Sequence, residues 1–205
     1  ITMFMSDMNL NENLSSTPQD RRELMDLVER MQGAFTTIAK SKIPTIALAH
    51  GFCIGGATSL VSACDIRLAT KDAKFSIGET KLGLVADVGV IQRMPKIVSS
   101  GDINELALTG RIFDGEHAEK IRFVSKAYGN SDELFEAGEK LANEISSNSK
   151  RIVQATKEAL EKSSNLTVDQ GLEYAKLWST SFLVSEDLRE GVMAFLEKRD
   201  PKFNE

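Results

Sequence analysis

A short apolar run, Thr45-Ile46-Ala47-Leu48-Ala49, leads through Gly51 into the pair Gly55-Gly56 and then into a second apolar run from Ala57 to Cys64. A continuous apolar stretch of that length suits a strand buried on both faces. The glycines place a turn after it, and Ala57 to Cys64 reads as a short buried helix. Asp65 to Thr70 and Ala73 to Ile77 alternate well enough to be two further strands. The order strand, glycine turn, helix, strand requires an α/β layer with a turn at the end of a buried strand.

The flanks are helical. From Gln19 to Lys40 the residues Leu24, Leu27, Val28, Met31, Phe35 and Ile38 recur at helical spacing, with a cap near Ser16 or Thr17 and Pro44 beyond. After Gly83 the pattern predicts helices over Val88 to Val98, Ile103 to Thr109, Gly115 to Ile121, Asp132 to Ser146, Lys150 to Lys162 and Val168 to Lys198. Strand character returns at Phe123 to Ala127, while Asn148 to Ser149 and Ser163 to Asn165 read as loops. The reading is an α/β core over residues 1–130 and a helical region over residues 131–205, within a length suited to one catalytic domain.

Composition narrows the partners. The formal net charge of −5 argues against a general nucleic-acid binder, which needs clustered Lys and Arg. No run approaches the roughly 18 apolar residues of a membrane span. Cys53 and Cys64 form neither a CxxC nor a Cys/His metal spacing, so no metal site is expected and a reducing intracellular compartment is the simplest setting.

Two segments carry candidate chemistry. In His50 to Ser59, Gly55 and Gly56 let a ligand approach the backbone, and the amides heading a helix point outward with partial positive charge, suited to an oxyanion. Plain packing also explains such glycines. In Phe75 to Gly89, Glu79 and Asp87 stand eight positions apart in a largely apolar stretch. Burial raises a carboxyl pKa and proximity drives two titrations apart, so one group can be base while the other is acid. The plainer alternative leaves Glu79 in solvent at a strand end and makes Asp87 the cap of a helix near Val88. His50 and His117 read as structural or solvated.

Taken together, these residues resemble the crotonase, or enoyl-CoA hydratase/isomerase, superfamily from about Met3 to Phe203. Met3 to Leu10 resembles its Phe-x-x-Gly-x-Asp-Leu loop, with Asp7 where glycine is usual. Ile43 to Gly56 resembles its central strand and glycine turn, Cys64 to Arg67 the following strand, and Thr109 to Phe113 through Ser125 the passage to the helical tail. Ser185 to Lys198 resembles the terminal helix. The resemblance implies a spiral of ββα units, a CoA thioester substrate, and two amides, of Met8 and Gly56, that polarise its carbonyl and stabilise an enolate. It implies no cofactor, CoA being part of the substrate. It also implies a homotrimer or homohexamer held partly by the terminal helix. The match begins at the first oxyanion loop, so the usual preceding spiral turns are expected to be absent.

Within the superfamily, hydratases carry two glutamates at the positions matching Ser59 and Glu79. Serine is no carboxylate base, which argues against hydration, and no Gly-x-Ser-x-Gly elbow makes Ser59 a nucleophile. Asp87 resembles the diagnostic aspartate of the Δ3,5-Δ2,4-dienoyl-CoA isomerases, and Leu60 to Arg67, Val85 to Gly89 with Gln92-Arg93, and Leu172 to Tyr174 with Trp178 are similar to the same subfamily. That likeness implies Glu79 and Asp87 as the proton-transferring pair, Met8, Gly56, Gly55 and Ser59 around the thioester, and a role in β-oxidation. The implied location is a mitochondrion or peroxisome in a eukaryote and the cytoplasm in a bacterium. These isomerases tend to carry aspartate at the position of Ser59. The alternatives are a Δ3-Δ2-enoyl-CoA isomerase using Glu79 alone and a non-catalytic interaction protein of the same fold.

Overall fold

Ile46–Ala49 (β1) pairs in parallel with Ile66–Thr70 (β3), and Phe52–Ile54 (β2) pairs in parallel with Lys74–Ser76 (β4). The chain therefore climbs as a spiral in which each turn gives its first strand to one sheet and its second to the other. Lys126–Tyr128 (β6) completes the order β1-β3-β6, and Phe113–Asp114 (β5) lies antiparallel on β4 to complete β2-β4-β5. The structure is a computed structural model that describes residues 17–203. It divides into one unit of Ile1–Ser41 with Thr45–Glu136 and another of Lys42–Pro44 with Ala137–Glu205. Among the described residues no helix is long and apolar enough to cross a membrane.

In the first unit, Pro18–Ala39 (α1) opens on a capping box in which the Thr17 side chain accepts from the Asp20 amide and Asp20 accepts from the Thr17 amide. Gly56–Ala63 (α2) fills the first spiral turn, burying Thr58, Ser59, Val61, Ser62 and Ala63. Val90–Arg93 (α3), Ser100–Thr109 (α4) and Gly115–Lys120 (α5) follow. The core centres on three rings. Phe75 lies 5.5 Å from both Phe113 and Phe123, which are 6.2 Å apart, and Ile77, Val90, Met94 and Leu106 surround them in the same buried cluster. Edge and offset contacts of this kind add to the area the rings bury.

Polar side chains fix the strand ends. Asp65 accepts from the amide and hydroxyl of Thr45 at 2.7 and 2.9 Å, joining the starts of β1 and β3. Arg67 donates to the carbonyls of Phe123 at 2.7 Å and Cys64 at 2.8 Å. That contact explains one departure from the sequence reading. Phe123 and Val124 do not belong to a strand; they are fully buried in irregular backbone whose carbonyl is taken by Arg67, and pairing resumes only at Lys126.

Other boundaries also move. The helix expected over Val88 to Val98 shrinks to α3 and a 3-10 turn, Met94–Lys96, because Pro95 lacks an amide and sits at the turn's start. The strand pieces β2 and β5 went unread, being too short for alternation to register. The long helix expected over Val168 to Lys198 is two, Val168–Phe182 (α8) and Glu186–Glu197 (α9), because Ser185 accepts from the Leu188 amide and caps a fresh start.

Helix Ser131–Ser146 (α6) runs into the second unit, where Lys150–Ser163 (α7), α8 and α9 follow. Lys157 holds the Ile43 carbonyl at 3.1 Å, tying Lys42–Pro44 to α7. Tyr174 donates to Glu158 at 2.7 Å between α8 and α7. Trp178 stacks on Phe182 with ring centres 5.6 Å apart and planes 3° from parallel. Asp187, buried in the first turn of α9, accepts from Ser149, the cap of α7, at 2.6 Å. Leu188, Val192, Phe195 and Leu196 on α9 are exposed.

Candidate active site

The parallel strands β2 and β4 end side by side, with Ile54 opposite Ser76. Ligands of α/β proteins gather beyond the carboxyl ends of parallel strands, where the chain leaves the sheet. Past Ile54 comes Gly55, with φ 59° and ψ −118°, a conformation that a side chain would strain. Its amide donates to the Ser76 carbonyl at 2.9 Å, fastening the turn to the neighbouring strand end. Helix α2 then begins at Gly56, whose amide heads the helix and has no acceptor within it. A Cβ on Gly56 would meet no described heavy atom within 4 Å, so packing among the described residues does not demand the glycine.

Past Ser76 the chain enters a 3-10 turn, Gly78–Leu82, that carries Glu79. Both the glycine turn and Glu79 thus leave the same end of one sheet within a few residues of one register pair. Thr58, fully buried on α2, donates its hydroxyl to the Ser76 carbonyl at 3.0 Å and also lies against the Cys53 carbonyl. Thr80 donates to the Ala107 carbonyl at 2.7 Å and holds the 3-10 turn to α4.

Glu79 is half-buried, and its Oε2 is buried with no hydrogen-bond partner among the described residues. Burial pushes its carboxyl above the ordinary carboxylate range; a backbone hydrogen bond at Glu79 itself opposes that shift, and the charge of Asp87 adds to it. An unsatisfied buried carboxyl is uncommon and calls for an explanation such as a catalytic role. Asp87 is exposed, in the loop before α3. It does not cap that helix: the cap position is Gly89, without a side-chain bond, so the plainer reading of Asp87 fails. The partial burial of Glu79, with Oε2 shielded from solvent, also departs from a fully solvated side chain at a strand end.

Ser59 is fully buried on α2 one turn beyond Gly55, its amide donating to the Gly55 carbonyl at 3.1 Å and its hydroxyl without a partner among the described residues. Met8, and the whole Met3 to Leu10 loop with Asp7, lie outside the described residues. The histidines take structural contacts, His50 against the edge of Phe135 and His117 against Phe113. The thiol of Cys53 is pushed up by burial, and Cys53 and Cys64 form no disulfide with each other. Among the described residues no three His, Cys, Asp or Glu side chains group as metal ligands. An open groove on α8 lined by Leu166, Asp169, Gln170, Glu173, Tyr174 and Leu177 contains none of these site residues.

Sequence reasoning missed Thr58 and Gln32. The side chain of Gln32 on α1 donates to the main-chain carbonyl of Asp87 at 2.6 Å, a contact across 55 positions that no local pattern announces. A buried threonine two residues after a glycine pair is a signal that could have drawn attention to Thr58.

The family model for enoyl-CoA hydratase/isomerase matches residues 2–205. The mitochondrial Delta(3,5)-Delta(2,4)-dienoyl-CoA isomerase of Dictyostelium discoideum is 46% identical over 188 residues, covering 92% of this chain and 64% of that protein. The peroxisomal protein of the same description from Arabidopsis thaliana is 41% identical over 209 residues, covering 98% of this chain and 75% of that one. Among solved structures, an enoyl-CoA hydratase from Bacillus anthracis superposes with a TM-score of 0.84 at 27% identity, over 95% of this chain and 74% of its own.

Proposed function

The chain belongs to the enoyl-CoA hydratase/isomerase family, and on that premise we propose that it moves a double bond in an acyl-CoA thioester, converting a 3,5-dienoyl-CoA to the 2,4-dienoyl-CoA during β-oxidation. The observation that carries the reading is the buried Oε2 of Glu79, without a hydrogen-bond partner among the described residues, just past the strand end that neighbours the glycine turn and its Gly56 amide.

In this mechanism Asp87 removes a proton from C2, and the electrons move into the thioester carbonyl to give a dienolate. The Gly56 amide, joined by that of Met8, donates to the enolate oxygen. Glu79, whose burial favours the protonated carboxyl, delivers a proton to C6 as the electrons return, and the double bonds shift to the 2,4 positions. Exposure of Asp87 leaves its carboxylate accessible to a substrate. The exposed apolar side chains Leu82, Leu84 and Val85, between the two carboxylates in the chain, suit an acyl tail. Ser59 in place of a second buried carboxylate disfavours hydration.

CoA enters as part of the substrate, and transfer of protons between carboxylates requires neither a metal nor a redox cofactor. The exposed apolar residues of α9 support assembly into a homotrimer or homohexamer. The mitochondrial and peroxisomal relatives favour one of those organelles.

The test is Asp87→Asn assayed by ultraviolet absorbance with 3,5-dienoyl-CoA and 3-enoyl-CoA. Loss of diene migration with thioester binding retained is the expected result. Unchanged diene turnover removes Asp87 from the mechanism; wild-type activity on 3-enoyl-CoA alone favours a Δ3-Δ2-enoyl-CoA isomerase using Glu79 by itself. Failure to bind either thioester points to a non-catalytic interaction protein.

A further inference from the structure

Asp87 sits in a loop held by α1 and α3 at three consecutive residues. The Gln32 side-chain amide donates to the Asp87 carbonyl at 2.6 Å. One helical turn along the same face of α1, the Thr36 hydroxyl accepts from Arg93 Nη2 at 3.2 Å, and Arg93 Nη1 donates to the Val88 carbonyl at 3.3 Å. The guanidinium of Arg93 also lies over Gly89. With φ 114° a side chain there would be strained, and its Cβ, 1.9 Å from Nη1, would displace the guanidinium. Ala86 and Val88, on either side of Asp87, are buried anchors. The exposed carboxylate therefore extends from a backbone whose freedom is removed by neighbours rather than by its own contacts.

We infer that Gln32 is a positioning residue for Asp87, fixing the backbone from which the carboxylate reaches the substrate; this rests on the reading of Asp87 as a proton-transferring group. Gln32 touches no reacting atom and acts only through the carbonyl it binds. Arg93, through Val88, Thr36 and the cover over Gly89, supplies the second half of the clamp. Proton transfer tolerates little misplacement, and a displacement of about 1 Å can slow it by up to roughly a hundredfold without touching binding.

The experiment compares Gln32→Ala, Gln32→Glu, which keeps the shape and loses the donor, and Gln32→Lys, which restores one. Each is assayed with 3,5-dienoyl-CoA, alone and with Asp87→Asn, and by backbone hydrogen exchange over residues 84–93. Ala and Glu should lower kcat by about tenfold to a hundredfold with KM within about twofold, and Lys should recover part of the loss. On the residual rate of Asp87→Asn they should have no further effect, because two steps in one chain of action are not additive. Exchange over residues 84–93 should quicken in the Ala and Glu variants. Unchanged kcat, a loss confined to KM, an undiminished loss in the Asp87→Asn background, or unchanged exchange overturns the inference. A wild type inert toward the diene instead refutes the proposed reaction, and the exchange result alone then decides whether Gln32 holds the loop.

Discussion

Thr58 donates its hydroxyl to the Ser76 carbonyl at 3.0 Å, across the two strand ends from which the glycine turn and Glu79 depart. Because the Gly55 amide uses the same carbonyl, two donors meet at one oxygen and tie the glycine turn to the strand end that precedes Glu79. Thr58→Val keeps the shape and removes the donor. It should destabilise the protein by about 1 to 3 kcal/mol, the penalty for leaving buried polar groups short of a partner. Thr58→Ser should keep more of the stability. Circular dichroism in a denaturant series checks both, and an unmoved midpoint for Thr58→Val would show that the hydroxyl holds nothing.

Glu79→Gln should lower turnover by roughly 10² to 10⁴ while sparing thioester affinity, as expected for loss of a general acid or base. Its effect on stability should have the opposite sign. A carboxyl whose folded pKa is raised contributes stability that is fully present below its ordinary value of 4.5 and is lost as pH rises through the raised value. Glutamine does not titrate, so its melting temperature should gain on that of the wild type as pH climbs through that window. A difference between the two that stays constant from pH 4 to 8 would contradict the buried, proton-retaining carboxyl.

Asp187→Ala removes the acceptor of the Ser149 hydroxyl and also the partner of Arg151, 3.6 Å away. The second unit should lose about 2 kcal/mol, in keeping with a buried hydrogen bond to a charged group. Ser149→Ala should lose somewhat less and, combined with Asp187→Ala, add little further. Full additivity would mean that the two side chains act separately.

Much of the fold could be read from local pattern, and the exceptions share a cause. Helices such as α1 and α7 carry both an apolar face and a cap, so periodicity and Thr17 or Ser149 locate their starts. Strands β2 and β5 span too few residues for alternation to register, and what makes them strands is the neighbour each lies against. Phe123 and Val124 show apolar composition misread as a strand, because the Arg67 side chain that claims their backbone stands 56 positions away. At the site, Glu79, Asp87, Gly55, Gly56 and Ser59 were legible as residue types in an apolar setting. That the glycine turn and Glu79 leave one strand end depends on the Ile54–Ser76 register, and the hold of Gln32 on Asp87 depends on helix placement. Neither leaves a periodic trace.

The stacked Trp178 offers a different kind of information. It is the chain's single tryptophan, and both it and the ring it stacks on belong to the helical second unit. Indole emission is therefore a spectroscopic reporter for that unit alone, blind to whether the turn at Gly55 and the carboxyl of Glu79 remain in place. Fluorescence and catalytic absorbance will separate wherever the two units lose structure at different denaturant concentrations, so a single optical midpoint should not be taken as the lifetime of the site.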